Sequence, residues 1–87
     1  MDRIHVKILA SGGGKWEKQV CSVRLPTGDG SVGILGGHAP MLCAVRHGEL
    51  IWRREDGETA RIAVSDGIAN VADDELTILV SEWRETV

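Results

Sequence analysis

Apolar and polar residues alternate with a period of two along most of this 87-residue chain. Ile4, Val6 and Ile8 alternate with His5 and Lys7, as in a half-buried strand whose successive side chains point to opposite faces. Ser11-Gly12-Gly13-Gly14 ends that run. A second strand is predicted over residues 16–25, with Cys21, Val23 and Leu25 on one face and Ser22 and Arg24 on the other. Residues 26–30 read as a turn. Beyond Gly48, residues 50–54 and 59–65 flank Asp56-Gly57, and Asp-Gly between two strand-like runs is a strong hairpin signal. Asp66-Gly67 turns the chain again, and residues 68–72 and 75–81 form a last pair across Asp73-Asp74. No segment of helical length repeats with a 3.6-residue period. The tail over residues 81–87 falls short of the ~12–15 residues an isolated helix needs. Many short strands with turns about every 8–12 residues predict an all-β sandwich or barrel, closed so that few edges are bare.

The stretch from Thr27 to Cys43 departs from plain alternation. It holds five of the eleven glycines and one of two prolines. A helix would lose roughly 1 kcal/mol at each glycine, so tight turns and short strands are expected instead. Pro40 fixes its own φ and pushes Ala39 into an extended conformation, framing His38. Gly33 is expected to hold a backbone conformation that only glycine tolerates.

Composition narrows the class of protein. One domain of this length buries about 60–65% of its unfolded surface. With no Phe or Tyr, the core must be aliphatic, with Trp16, Trp52 and Trp83 as its only large plates. Trp52, in phase with Leu50, reads as core or as an interface anchor, and core is the better fit. The net charge of −3, with no basic run, argues against a nucleic-acid partner. Apolar runs are far shorter than the ~20 residues of a membrane helix. Met1-Asp2-Arg3 does not open a signal peptide, and two cysteines fit free thiols in a reducing compartment. A soluble cytoplasmic domain is expected.

Candidate chemistry is sparse. Ser11-Gly12-Gly13-Gly14-Lys15 lacks the spacing of a phosphate-binding loop and precedes a strand, so it reads as a hairpin loop. Cys21 and Cys43 could join His38 and His47 as metal ligands, yet zinc sites show paired ligands and only His38 with Cys43 approaches that spacing. Core packing explains the cysteines better. Asp73-Asp74-Glu75 reads as a solvated turn. No catalytic residue, cofactor site or metal site is predicted. His38 alone stands out, and a lone histidine beside glycines is more often structural than functional.

Gly30-Ser31-Val32-Gly33-Ile34-Leu35-Gly36-Gly37-His38-Ala39-Pro40-Met41-Leu42 resembles the signature stretch of the epsilon subunit of F-type ATP synthases. Val64-Ser65-Asp66-Gly67-Ile68-Ala69-Asn70-Val71 and Leu76-Thr77-Ile78-Leu79-Val80 are similar to later strands of that family, and the match is collinear. In the family a carboxylate usually stands at the place of Ser31, and proline at that of Gly36. The resemblance implies a flattened barrel or sandwich of about ten short, mostly antiparallel strands, one domain over residues 1–87. It also implies a non-catalytic rotor subunit that clamps the gamma subunit to the membrane c-ring, without a cofactor. His38, Leu42 and Cys43 would face gamma and Ser31 the ring, with Ser31 weakening that contact. The place implied is the cytoplasmic face of a bacterial plasma membrane, as a peripheral subunit without membrane insertion, monomeric when isolated. The family's barrel is commonly followed by a helical pair that can bind ATP and inhibit hydrolysis. A chain ending at Val87 would be a naturally short form that couples rotation without that switch. The rival readings are a stand-alone β-barrel module that binds another protein and a small metal-dependent enzyme using His38, His47 and Cys43.

Overall fold

The computed structural model describes residues 3–86, so expectations touching Met1, Asp2 and Val87 lie outside it. Ten strands follow one another: β1 Ile4–Ala10, β2 Lys15–Val20, β3 Ser22–Thr27, β4 Gly30–Leu35, β5 Met41–Val45, β6 Gly48–Arg53, β7 Thr59–Val64, β8 Gly67–Ala72, β9 Glu75–Val80 and β10 Trp83–Thr86. No helix occurs among the described residues. The strands form two five-stranded sheets, ordered β2-β1-β9-β8-β5 and β10-β7-β6-β3-β4. All pairings are antiparallel except β1 with β9, where His5 lies opposite Glu75 and Ala10 opposite Val80.

Alternation decides which side chains go inside. Ile4, Val6 and Ile8 of β1, Leu76, Ile78 and Val80 of β9, and Leu50 and Trp52 of β6 all lie in one shared core between the sheets. No polar or charged residue is buried among the described residues. Each fully buried aliphatic side chain contributes about 1.5–3 kcal/mol. Trp16 and Trp52 meet with ring centroids 5.6 Å apart. The Lys18 ammonium and the Arg54 guanidinium cover Trp52 at 5.0 and 5.2 Å, so Trp52 is core with a cationic lid.

The expected single strand over residues 16–25 is two. Cys21 breaks it, and its N–H is taken by the Arg53 carbonyl. β2 stays in the first sheet while β3 crosses to the second. The tail also differs from expectation, since Trp83–Thr86 pairs with β7 as an edge strand. Ser65 anchors that corner: its hydroxyl oxygen accepts from the N–H groups of Ser81 and Glu82 at 3.0 and 3.1 Å.

Two turn expectations resolve by backbone geometry. Asp73 and Asp74 have φ of 52° and 59°, the pair of left-handed residues that a two-residue hairpin with right-handed twist requires. Gly33 is not left-handed, and a Cβ there would meet only the Arg24 guanidinium, at 3.7 Å. The glycine requirement falls on Gly67 instead, where a Cβ would overlap the Leu79 carbonyl oxygen.

Candidate partner-binding surfaces

His38 sits in the connection between β4 and β5. Its N–H closes a turn onto the Leu35 carbonyl at 3.1 Å. The Gly37 N–H, with φ of 82° at that glycine, donates to the Asp74 carboxylate. The β8–β9 turn thereby holds the histidine loop, a positioning role that the solvated-turn reading of Asp74 missed. His38 Nδ1 lies 2.7 Å from the Ala39 carbonyl. A carbonyl only accepts, so Nδ1 carries the proton, and in the neutral ring Nε2 is left as an acceptor.

The other residues expected to face gamma do not share a side. Along edge strand β5, Met41, Cys43 and Val45 turn inward while Leu42 and Ala44 turn out. Leu42 is 67% exposed. Cys43 packs against the core, and burial pushes its thiol above the usual range. Its open side instead meets Ser31, Thr27 and Asp29 across a groove between the bare edges of β4 and β5. Ser31 lies on the second sheet, and its hydroxyl accepts a bond from Arg24 at 3.1 Å. The structure thus parts Leu42 from Cys43 and sets Cys43 on the groove that Ser31 also lines.

Leu42 belongs to a larger surface. Ala44 lies opposite Ile68, Ile68 opposite Leu79, and Leu79 beside Leu9. These four make an aliphatic row across the outer face of the first sheet, next to Leu42. Ile68 and Leu79 are 43% and 48% exposed, on a sheet face whose other outward positions are mostly polar. Lys15, opposite Leu9, flanks the row, and His5, Lys7, Glu17, Gln19, Asn70, Thr77 and Glu75 fill the rest with Ala72. Such contiguous exposed aliphatics mark interaction surfaces. The signal in the sequence was the unbroken run Ile78-Leu79-Val80. A strand with one wet face is expected to place a polar residue at position 79, and β9 instead carries an exposed leucine there.

Catalytic chemistry finds little footing. No group of three or more His, Cys, Asp or Glu side chains able to hold a metal occurs among the described residues. His47 sits at the β5–β6 corner, where its N–H bonds the Asp66 carboxylate at 2.7 Å. The His38, His47 and Cys43 trio is therefore not assembled. The Gly12–Gly14 loop is the β1–β2 hairpin turn, closed by Ala10 and Gly14.

Comparison with known proteins agrees with this architecture. The epsilon chain of the Guillardia theta chloroplast ATP synthase is 40% identical over 82 residues, covering 94% of this chain and 62% of that one. The Streptomyces avermitilis epsilon chain is 33% identical over 76 residues, covering 87% and 61%. This chain thus spans about three fifths of those relatives. Among solved structures, a chain of the Euglena gracilis mitochondrial ATP synthase superposes with a TM-score of 0.85 at 22% identity, over 98% of this chain and 54% of that one. One from the Tetrahymena thermophila central stalk and c-ring gives 0.74 at 15% identity, over 92% and 64%. Residues 3–85 match the family of the β-sandwich domain of the ATP synthase delta/epsilon chain, and this chain belongs to that family.

Proposed function

We propose that this chain is a non-catalytic central-stalk subunit of an F-type ATP synthase. It binds the gamma subunit, meets the membrane c-ring, and couples ion translocation to ATP synthesis as a peripheral subunit on the cytoplasmic face of the membrane. Its whole length serves as one epsilon-type domain. The observation that carries this reading is the aliphatic row Leu9, Leu79, Ile68 and Ala44 with Leu42 beside it. It offers gamma an apolar face, and the loop that carries His38 leads into β5, the strand of Leu42 and Ala44. Ser31, on the other sheet, is the residue nearest in role to a ring contact, and it brings one neutral hydroxyl in place of a charge. A rigid sandwich with two separate faces suits a coupling element, which needs shape rather than a nucleophile.

The test is binding to purified gamma. The wild-type chain should co-purify with gamma, and Ile68→Glu or Leu42→Glu should weaken binding at least tenfold while circular dichroism and melting stay unchanged. Failure of the wild-type chain to bind gamma would point to a stand-alone binding module and sink the stalk reading.

A further inference from the structure

The outer face of the second sheet collects arginines. Arg24 of β3 lies opposite Ile51 of β6, and Ile51 opposite Arg61 of β7, so the three share a row. Neighbouring strands lie about 4.8 Å apart, which sets the backbones of Arg24 and Arg61 about 10 Å from each other. Arg53 stands in the next row, opposite Ser22 and Thr59. Arg84 of β10 lies opposite Ala63, which in turn faces Glu49. All four arginines are exposed.

One carboxylate, Glu49, shares this face, and Arg61 already pairs with it at 3.0 Å. Arg24 is steadied only by the neutral Ser31 hydroxyl. Arg24, Arg53 and Arg84 form no ion pair with another described residue. Guanidinium groups stay charged at any physiological pH. A chain of net charge −3 therefore gathers like charges on one surface without answering them. Between them lies apolar surface: Ile51 is half-buried and Leu35 is 60% exposed. Ser22, Arg24, Leu35, Ile51, Arg53 and Thr59 line one shallow depression.

We propose that this arginine face docks an acidic protein segment carrying an apolar side chain among its carboxylates. The planar guanidinium fork matches a carboxylate in two parallel hydrogen bonds. Leu35 and Ile51 have no use for a bare phosphate, whereas an aliphatic side chain of the segment covers both. Exposed ion pairs are individually weak and screened by salt, so the docking is moderate in strength and salt-sensitive. This face looks away from the aliphatic row, and the inference holds whether or not gamma binds there or Ser31 meets a ring.

The probe is a synthetic peptide of alternating Glu and Leu, with a Gln and Leu twin, titrated against isotope-labelled protein. The Glu peptide should shift amides of β3, β6 and Leu35, and raised salt should weaken it. The double variant Arg24→Gln with Arg53→Gln should bind at least tenfold more weakly, while Lys7→Gln on the opposite face changes nothing. Arg24→Lys, which keeps the charge and loses the fork, is the second variant if the double one melts early, and it too should bind more weakly. No shifts, shifts confined to the first sheet, equal binding of the twin, or unaltered affinity in the variants would overturn the proposal. Tighter binding of tripolyphosphate or of phosphatidylglycerol vesicles at the same residues would assign the face to phosphate or lipid and overturn it as well.

Discussion

The backbone of Gly67 passes so close to Leu79 that a side chain at position 67 would collide with the Leu79 carbonyl oxygen. Gly67 opens β8 directly against β9, and the obstacle is backbone, which cannot rotate aside. Gly67→Ala should therefore destabilise the sandwich by about 1–3 kcal/mol, as overpacking does. Gly33→Val, in an extended and open position, should stay within about 0.5 kcal/mol of wild type. Urea denaturation of both variants checks this, and the reverse order would refute the assignment.

Ser65 should matter far from any binding face. Its oxygen satisfies two backbone N–H groups and its O–H donates to the Glu82 carbonyl at 3.2 Å. Ser65→Ala removes those bonds from an exposed corner where water can replace the partner, at a cost of about 0.5–1.5 kcal/mol. Hydrogen exchange should then quicken at Trp83–Thr86 before it quickens at β1 or β9. Uniform protection along β10 would contradict the anchoring role.

Acid should weaken the β1–β2 pair through Glu17. Its carboxyl is held below its ordinary value of 4.5, chiefly by the hydrogen bond from His5 and next by Lys15. A carboxylate with a depressed folded pKa stabilises fully above its unfolded value and loses that contribution as pH falls through the folded one. The wild-type melting temperature should thus fall more steeply below about pH 4.5 than that of Glu17→Gln, with the two curves parallel at neutral pH. Identical acid limbs would remove Glu17 from the account.

Cys43 should be a slow thiol. Burial raises its pKa above the ordinary 9.0, which lowers the thiolate fraction available to react. In a Cys21→Ser background, alkylation near neutral pH should lag behind that of a small free thiol and catch up in urea. Fast labelling of the folded chain would show the groove beside Ser31 to be more open than its packing indicates.

His38→Ala should separate binding from folding, on the stalk reading. Its side chain bonds only the neighbouring Ala39 carbonyl, while the loop is held by backbone groups and Asp74. The melting temperature should move by a few degrees at most, and gamma binding should weaken by about 1 kcal/mol or more. A large stability loss with unchanged affinity would return the residue to a structural role.

The alternation of Ile4, Val6 and Ile8, and of Leu50 and Trp52, was enough to specify strands and to name most of the core. Burial with a period of two is a local property that each strand carries in its own residues. The hairpins at Asp56-Gly57 and Asp73-Asp74 were equally legible, because their turns are closed by adjacent residues. Which sheet a strand joins is not local. The chain turns at Cys21 because β3 finds β6 and β4 across the core, and nothing in residues 16–25 records those distant partners. The same holds for β10, whose four residues have no pattern of their own and become a strand only against β7. It holds for Leu42 and Cys43 as well: adjacency in sequence suggested one surface, and the pleat of β5 sent them to opposite sides. Register between strands far apart in the chain built the aliphatic row from Leu9, Ile68 and Leu79, and the arginine row from Arg24 and Arg61. The sequence determined what each strand is made of, and the tertiary structure alone decided which side chains stand together.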